Sequence, residues 1–463
     1  MFITIELSEQ FRQLLPVIFG AFLSVTFGMG LGWPCIAYPY LLNDDVTPIP
    51  ITLDDTALIA GFLMEGNTIG SLFSTSKLLP AKLAVSLCCF LQISGWVLMF
   101  YSRNIFWFLG SRASVGFANG YGMGQLKRYI KDTCDPDLAD TINNYLPVGI
   151  NVGVLITFTY GAFVDFRSLA LYAVIVPSIG FLGFTLIPKL ERKTDSSQRV
   201  RNALESTMEK DEMSMAKNIT PPPVLETAEG ERESNTVGKP FTVFEVLRDR
   251  DSRNGLFLMF LIVFVQQYSG GPANLVYSQI IFTSTANPYP KLCSIIYGIT
   301  ALINIILALT FAKNIRRKTN LLVGTLACIF CYVLVALYFF LRNELYQINE
   351  LFTWAPLFLL MLWNVFHTFS FGVLSLLQLK ESLPKRSLNV LSKFWTIHFS
   401  MSAVISTKIF QVIFGMFGMG MGYTFFIFVL VGNFLIAIFI KDYTPKGKLE
   451  VNGGVESATV QRF

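Results

Sequence analysis

The chain has 463 residues, of which 53% are hydrophobic, 14% aromatic and only 14% charged, where a water-soluble domain carries about 25% charge. With a mean hydropathy of +0.53, such a chain cannot cover a soluble globule. A formal net charge of only +5, spread along the chain, excludes a disordered or nucleic-acid-binding protein and leaves a polytopic protein of the lipid bilayer.

A membrane helix needs about 20 apolar residues to cross about 30 Å of hydrocarbon. Twelve such runs are predicted, centred at about residues 24, 66, 91, 113, 152, 178, 265, 302, 331, 364, 403 and 429. They are continuously apolar rather than alternating, so they read as helices and not as barrel strands. The first, QLLPVIFGAFLSVTFGMGLGWP, is too long and too Gly-rich for a signal peptide and is expected to stay on the chain. Between the sixth and seventh runs, residues 189–252 are charged, Ser/Thr-rich and broken by Pro221, Pro222 and Pro223, too polar for a core of their own. The expected architecture is an all-α membrane protein of twelve transmembrane helices. A six-helix bundle over residues 1–188 is followed by a cytoplasmic linker (189–252), a second six-helix bundle (253–441) and a cytoplasmic tail (442–463). Asn218-Ile219-Thr220 matches a glycosylation acceptor, but a cytoplasmic position predicts no modification.

Lysine and arginine placement sets the orientation. The odd-numbered loops hold only Arg103, Arg167, Lys291 and Arg342, and Arg112 and Lys408 fall inside spans. The other basic residues of the 36 lie on the side shared by both termini and the linker. That side is expected to be the cytoplasm, in a cell membrane. The first outer loop instead carries Asp44, Asp45, Asp54 and Asp55. Six plus six spans about a polar loop is the layout of alternating-access carriers with a site at mid-bilayer between two halves.

Polar groups inside hydrocarbon are either paired or functional. In the seventh span, Gln266 and Gln267 point about 100° apart, so one is expected to face a central cavity and the other a neighbouring helix. Their amides suit a hydroxyl-rich ligand, although interhelical packing is the alternative reading. Ser269, Gly270, Gly271 and Pro272 follow and weaken the helix, as a moving gate requires. In the fourth span, Arg112, Gly116, Gly120 and Gly124 recur every fourth residue, a smooth stripe for close helix contact. Arg112 is placed near the cytoplasmic end with Asp132 as its counter-ion. Arg316, Arg317 and Lys318 with Glu381 form the corresponding group in the second half. These are read as cytoplasmic ion pairs that part when the carrier turns inward, with plain positive-inside charge as the alternative. Glu65 in the second span is a possible proton site, or else faces the outer vestibule or pairs with an amide such as Asn67. The long stem of Lys408 lets its ammonium reach a polar region. Trp363, Asn364, Trp395, His398 and Ser400 add polar or aromatic groups near the expected cavity. Cys328 and Cys331 have CxxC spacing but lie mid-span without further ligands. The other five cysteines are scattered and only His367 and His398 are available, so neither a metal nor a cofactor is expected.

The motifs GMGLGWPCIAYP, RxxxGxxxG from Arg112, YIKD from Tyr129, QQYSG from Gln266 and TKIF from Thr407 occur in one order. In that order they resemble the major facilitator sugar-porter family, most closely its insect facilitated trehalose transporter branch, over about residues 12 to 450. The resemblance implies the major facilitator fold, a small polyhydroxylated solute as partner, Gln266 and Gln267 as sugar contacts and Tyr277 in the outer gate. Several family features are absent. STSKLLPAK replaces DRxGR, and Ala139-Asp140 stands for an Arg-Gly pair. Pro272 takes the place of a ligand asparagine, Pro147 that of a fifth-span Gln, and Ser375-Leu376 that of a Pro-Trp pair, while Gly372 is kept. No phosphate-binding loop or nucleophile–base set appears, so neither ATP drive nor an enzyme is expected. The reading is a sugar carrier (trehalose, hexose or related polyol) working by facilitated diffusion and taken as a monomer. The alternatives are a proton-coupled symporter and a non-transporting sensor.

Overall fold

The computed structural model describes residues 9–43, 49–76, 78–134, 136–186, 243–285, 287–311, 317–348, 350–373 and 388–439. The linker from 187 to 242 and the tail from 440 lie outside the described residues, as do Asp44 and Asp45. The first half holds α1 (Glu9–Leu41), α2 (Leu53–Phe73), α3 (Ala81–Phe100), α4 (Ile105–Thr133), α5 (Pro136–Gly161), α6 (Phe166–Ala173) and α7 (Ile175–Leu186). The short α8 (Val243–Arg248) precedes the second half. There follow α9 (Arg250–Tyr268), α10 (Gly271–Thr283), α11 (Pro290–Phe311), α12 (Arg317–Ile348), α13 (Ala355–His367), α14 (Leu388–Phe417) and α15 (Met419–Phe439). A 3-10 turn (Glu350–Trp354) and a π turn (Thr368–Val373) flank α13. The sixth crossing is α6 with α7, the seventh α9 with α10, and each predicted span centre falls in a helix. The crossings alternate, so every even one runs from the far side, where α1 ends, back to the near side, where α1 begins.

Among the described residues, nine crossings are apolar and long enough to span a membrane by composition alone; α2, α4 and α5 fall short. These three carry polar residues inside the span, such as Glu65 and Asn67 in α2, Arg112 and Asn119 in α4 and Asn151 in α5, and they pack closely against other helices. A Cβ on Gly116 or Gly120 of α4 would strike the carbonyls of Leu63 and Asn67 on α2. One on Gly66 or Gly70 of α2 would strike those of Ala113 and Phe117 in return. Gly28 of α1 and Gly153 of α5 meet the carbonyls of Ile150 and Val25 in the same way. Such small-residue seams let helix backbones touch, so dispersion contacts replace the hydrophobic drive that lipid cannot supply. Local starts are set by caps. Asn104 accepts from Phe106 N at 3.1 Å and Trp107 N at 3.4 Å to begin α4. Asp55 accepts from Thr52 N at 2.9 Å in a capping box that begins α2.

The buried apolar side chains divide by depth. On the far side one continuous core takes Trp33, Tyr38 and Phe158 from the first half together with Tyr277, Tyr332 and Phe410 from the second. On the near side the described residues form separate cores in the two halves. Leu23, Val85, Leu126 and Phe184 pack within the first half; Val246, Met259 and Leu391 pack within the second. Among the described residues, the two halves thus share a core at the far side and not at the near side.

Candidate functional site

Four polar seams stitch the halves together on the far side. Tyr38 OH donates to Thr56 O, and Thr56 Oγ1 lies 3.0 Å from Tyr277 OH. Tyr277 is fully buried, with its ring 5.2 Å from Phe414 and 6.0 Å from Tyr38. Cys35 Sγ is 2.9 Å from Ser278 Oγ. Lys291 Nζ donates to Tyr40 OH at 3.1 Å and to Ala162 O at 3.0 Å. At the rim, Lys408 Nζ reaches Asp54 Oδ1 at 2.9 Å, and Gln411 bonds both, at 2.7 Å and 3.3 Å. Asp54 stands in the outermost turn of α2, in water beyond the apolar stretch. The hydrogen bond and charge of Lys408, helped by Gln411, hold its carboxyl below the usual carboxylate range.

The seventh crossing is broken where the SGGP run predicts weakness. α9 ends at Tyr268 and α10 begins at Gly271, with Gly270 at φ 94°, a left-handed conformation that suits only glycine well. The break exposes backbone that side chains of other helices satisfy. Tyr332 OH donates to Ser269 O at 2.8 Å and accepts from Asn274 Nδ2 at 2.9 Å; Tyr423 OH donates to Asn274 Oδ1 at 3.3 Å. His367 Nε2 lies 2.8 Å from Ser269 Oγ and its ring stacks 4.5 Å from Trp363. A Cβ on Gly270 would meet Tyr332 OH and would lie 2.9 Å from the Phe426 ring.

Between the halves, just inside the far-side seams, lies a small, partly open cavity walled by α1, α2 and α4 on one side and α10 and α14 on the other. Its wall is apolar except for Arg112 and Thr407. Arg112 is 1% exposed, its guanidinium carbon 4.9 Å from the Trp33 ring centroid, and its Nη1 donates to Gly30 O. That carbonyl is available because Pro34, inside α1, has no N–H to close the helical bond.

The structure therefore corrects the placement of Arg112. The fourth crossing descends from the far side, so Arg112 lies two turns below its far end, and Asp132 sits about 30 Å farther along the same helix. The two cannot pair, and Arg112 has no ion pair among the described residues. Arg316 and Glu381 lie outside the described residues, and Arg317 opens α12. Gln267 is 3% exposed and takes no hydrogen bond among the described residues, while Gln266 is half-buried with Oε1 unpartnered. Neither amide lines the cavity, nor do Tyr277, Asn364 or Ser400. Ser400 lies two helical turns below Thr407 on the α14 face that carries Ala403, with its hydroxyl unpartnered. Asn364 accepts from Asn304 Nδ2 at 2.7 Å, and His398 Nε2 lies 3.1 Å from Phe260 O. Glu65 is half-buried and makes no hydrogen bond or ion pair among the described residues; Asn67 is taken by Asn119 Nδ2 at 2.8 Å. Gly372 sits in the π turn after α13, where a Cβ would be in ordinary contact with Thr368 Cγ2 at 3.7 Å. Residue patterns alone do not single out Asn274, Tyr332, Tyr423, Thr56 or the Lys408 partner Asp54. Their roles come from contacts between distant spans, and the one local signal is that a polar residue follows the SGGP break at Asn274.

The sugar (and other) transporter family profile matches residues 24–447. A facilitated trehalose transporter of Polypedilum vanderplanki is 24% identical over 457 residues, covering 95% of this chain and 87% of that protein. One from Bombyx mori is 25% identical over 365 residues, covering 77% and 70%. Among solved structures, the partially occluded inward-open conformation of the xylose transporter XylE from E. coli superimposes with a TM-score of 0.70 at 12% identity, over 93% of this chain and 98% of that one. A D-xylose–proton symporter gives 0.69 at 14% identity, over 94% and 99%.

Proposed function

The chain belongs to the sugar (and other) transporter family, and from that premise we propose that it carries a small polyhydroxylated solute, trehalose, a hexose or a related polyol, by facilitated diffusion. It is a multi-pass membrane carrier of the major facilitator fold and not an enzyme. The near side, rich in lysine and arginine, is the cytoplasm of a cell membrane, with both termini and the linker there.

One observation carries the mechanism: among the described residues, the halves share a core on the far side and keep separate cores on the near side. That is one of the two end states alternating access needs, closed outside and parted inside. Reversal requires the far-side seams to part while the near-side faces meet, and each seam is a few hydrogen bonds rather than a covalent or deeply buried ionic lock. The break at Gly270 lets α10, with Tyr277 and Ser278 on it, tilt independently of α9. The solute is met by Gln267, Gln266 and Ser400, which have polar atoms without partners among the described residues, with Tyr277 closing above. Asn364 supplies a further amide from α13.

The test is counterflow in proteoliposomes against labelled trehalose, hexoses and polyols. Saturable exchange of one of them supports the reading, and silence across the panel with folded protein overturns it. Gln267→Ala is expected to lower uptake without lowering surface expression; unchanged uptake removes that residue from the site. A half-buried Glu65, unpartnered among the described residues, favours proton symport as a second reading. Uptake insensitive to pH and membrane potential dismisses it.

A further inference from the structure

We propose that the Nε–Nη2 edge of Arg112 is a binding site for the carboxylate of a small organic acid with an apolar body, held in the cavity between the halves. Arg112 is 1% exposed, and both Nε and Nη2 are buried without a hydrogen-bond partner. These two nitrogens share one edge of the planar guanidinium, the edge that receives a carboxylate through two parallel hydrogen bonds. The structural duty of the side chain is met elsewhere: Nη1 alone fills the Gly30 carbonyl that Pro34 leaves open. Among the described residues, no protein carboxylate serves the free edge. Asp54 is engaged by Lys408, Asp132 lies at the opposite end of α4, and Glu65 makes no hydrogen bond or ion pair with Arg112. An unneutralised buried cation inside a membrane protein is costly, and a bound anion removes the cost.

The walls say what the rest of the ligand is. Arg112 helps line the cavity together with Met64, Pro272, Val276 and Val404, and the hydroxyl of Thr407 already donates to Ala403 O at 2.7 Å. A polyol would bury many hydroxyls here against hydrocarbon, whereas an acid with a short alkyl body leaves no polar atom stranded. Because the wall draws α4 from one half and α10 and α14 from the other, an acid bound here also favours the far-side-closed arrangement. The site is distinct from the polyol contacts at Gln267 and Ser400.

The test uses the purified full chain in lipid nanodiscs, with butyrate, its neutral isostere butyramide, and chloride at matched ionic strength. Butyrate is expected to raise the unfolding temperature saturably, while butyramide and chloride do not. Arg112→Lys, which cannot offer the two-pronged edge, is expected to weaken butyrate by about tenfold or more. Equal stabilisation by butyramide or by chloride, or no stabilisation by butyrate, overturns the proposal. The wild-type arms decide the matter even if Arg112→Lys does not fold. Counterflow of polyols is a separate readout, so loss of either result leaves the other standing.

Discussion

The two halves of the twelve-helix fold are packed by opposite means. In the first half, helices meet through glycine: Gly66, Gly116 and Gly120 lock α2 to α4, and Gly28 and Gly153 lock α1 to α5, each against a facing carbonyl. In the second half, rings fill the same role, with Tyr332 stacked 5.2 Å from Trp363, Phe410 5.2 Å from Phe426 and Phe339 5.9 Å from Tyr423. Backbone-to-backbone contacts leave no side chain to readjust, so the first half moves as one body. Ring contacts can slide and rotate, and the polar tips of Tyr332 and Tyr423 re-satisfy a helix that is broken in the middle. The rigid frame and the moving gate are therefore built from different materials.

That contrast can be broken most severely in the glycine seam. Gly120→Leu drives a side chain into the Asn67 carbonyl, and a penalty above about 3 kcal/mol is expected, read as loss of monodisperse protein in size-exclusion chromatography. Gly270→Ala combines a left-handed φ of 94° with intrusion on Tyr332. About 2–3 kcal/mol of destabilisation and a matching fall in transport rate are expected from thermal unfolding and uptake. Tyr332→Phe keeps the ring stack but leaves Ser269 O and Asn274 Nδ2 unpaired; about 1–2 kcal/mol is expected, with uptake impaired more than expression. If Tyr332→Phe instead proved as damaging as Gly120→Leu, the second half would be as unyielding as the first. The smallest effect belongs to the exposed pair at the rim. The Asp54 carboxyl lies below its ordinary value, so the pair's contribution is complete above about pH 4 and fades as pH falls through the lowered value. Asp54→Asn is expected to leave uptake at neutral pH little changed and to flatten the acid limb of its pH profile, since exposed pairs are weak.

Much of the architecture is legible because the bilayer imposes length and polarity on each span. The count of twelve, the glycine stripe of α4 and the break after Gln267 all follow from local residue order. The depth of Arg112 is contained in the same order once direction is counted: the fourth span descends from the far side, so a residue early in it belongs near that side and not in the cytoplasm. The pairing of Lys408 with Asp54 joins residues 354 apart, and the Asn274–Tyr332–Tyr423 cluster joins three spans. No single-sequence pattern encodes such meetings, because each depends on how helices rotate against one another. The same limit applies to the amides. Their presence in a span is readable, but α9 leaves Gln266 and Gln267 outside the cavity that lies beside Pro272.

Cys35 and Ser278 face each other across the dividing plane, thiol to hydroxyl at 2.9 Å. Half of a clasp is already in place. With Ser278→Cys the other half is present, and a mild oxidant would fasten the external door while a reductant would undo it. The molecule could then be stopped and restarted chemically, in the same vesicle, at one chosen point of its cycle.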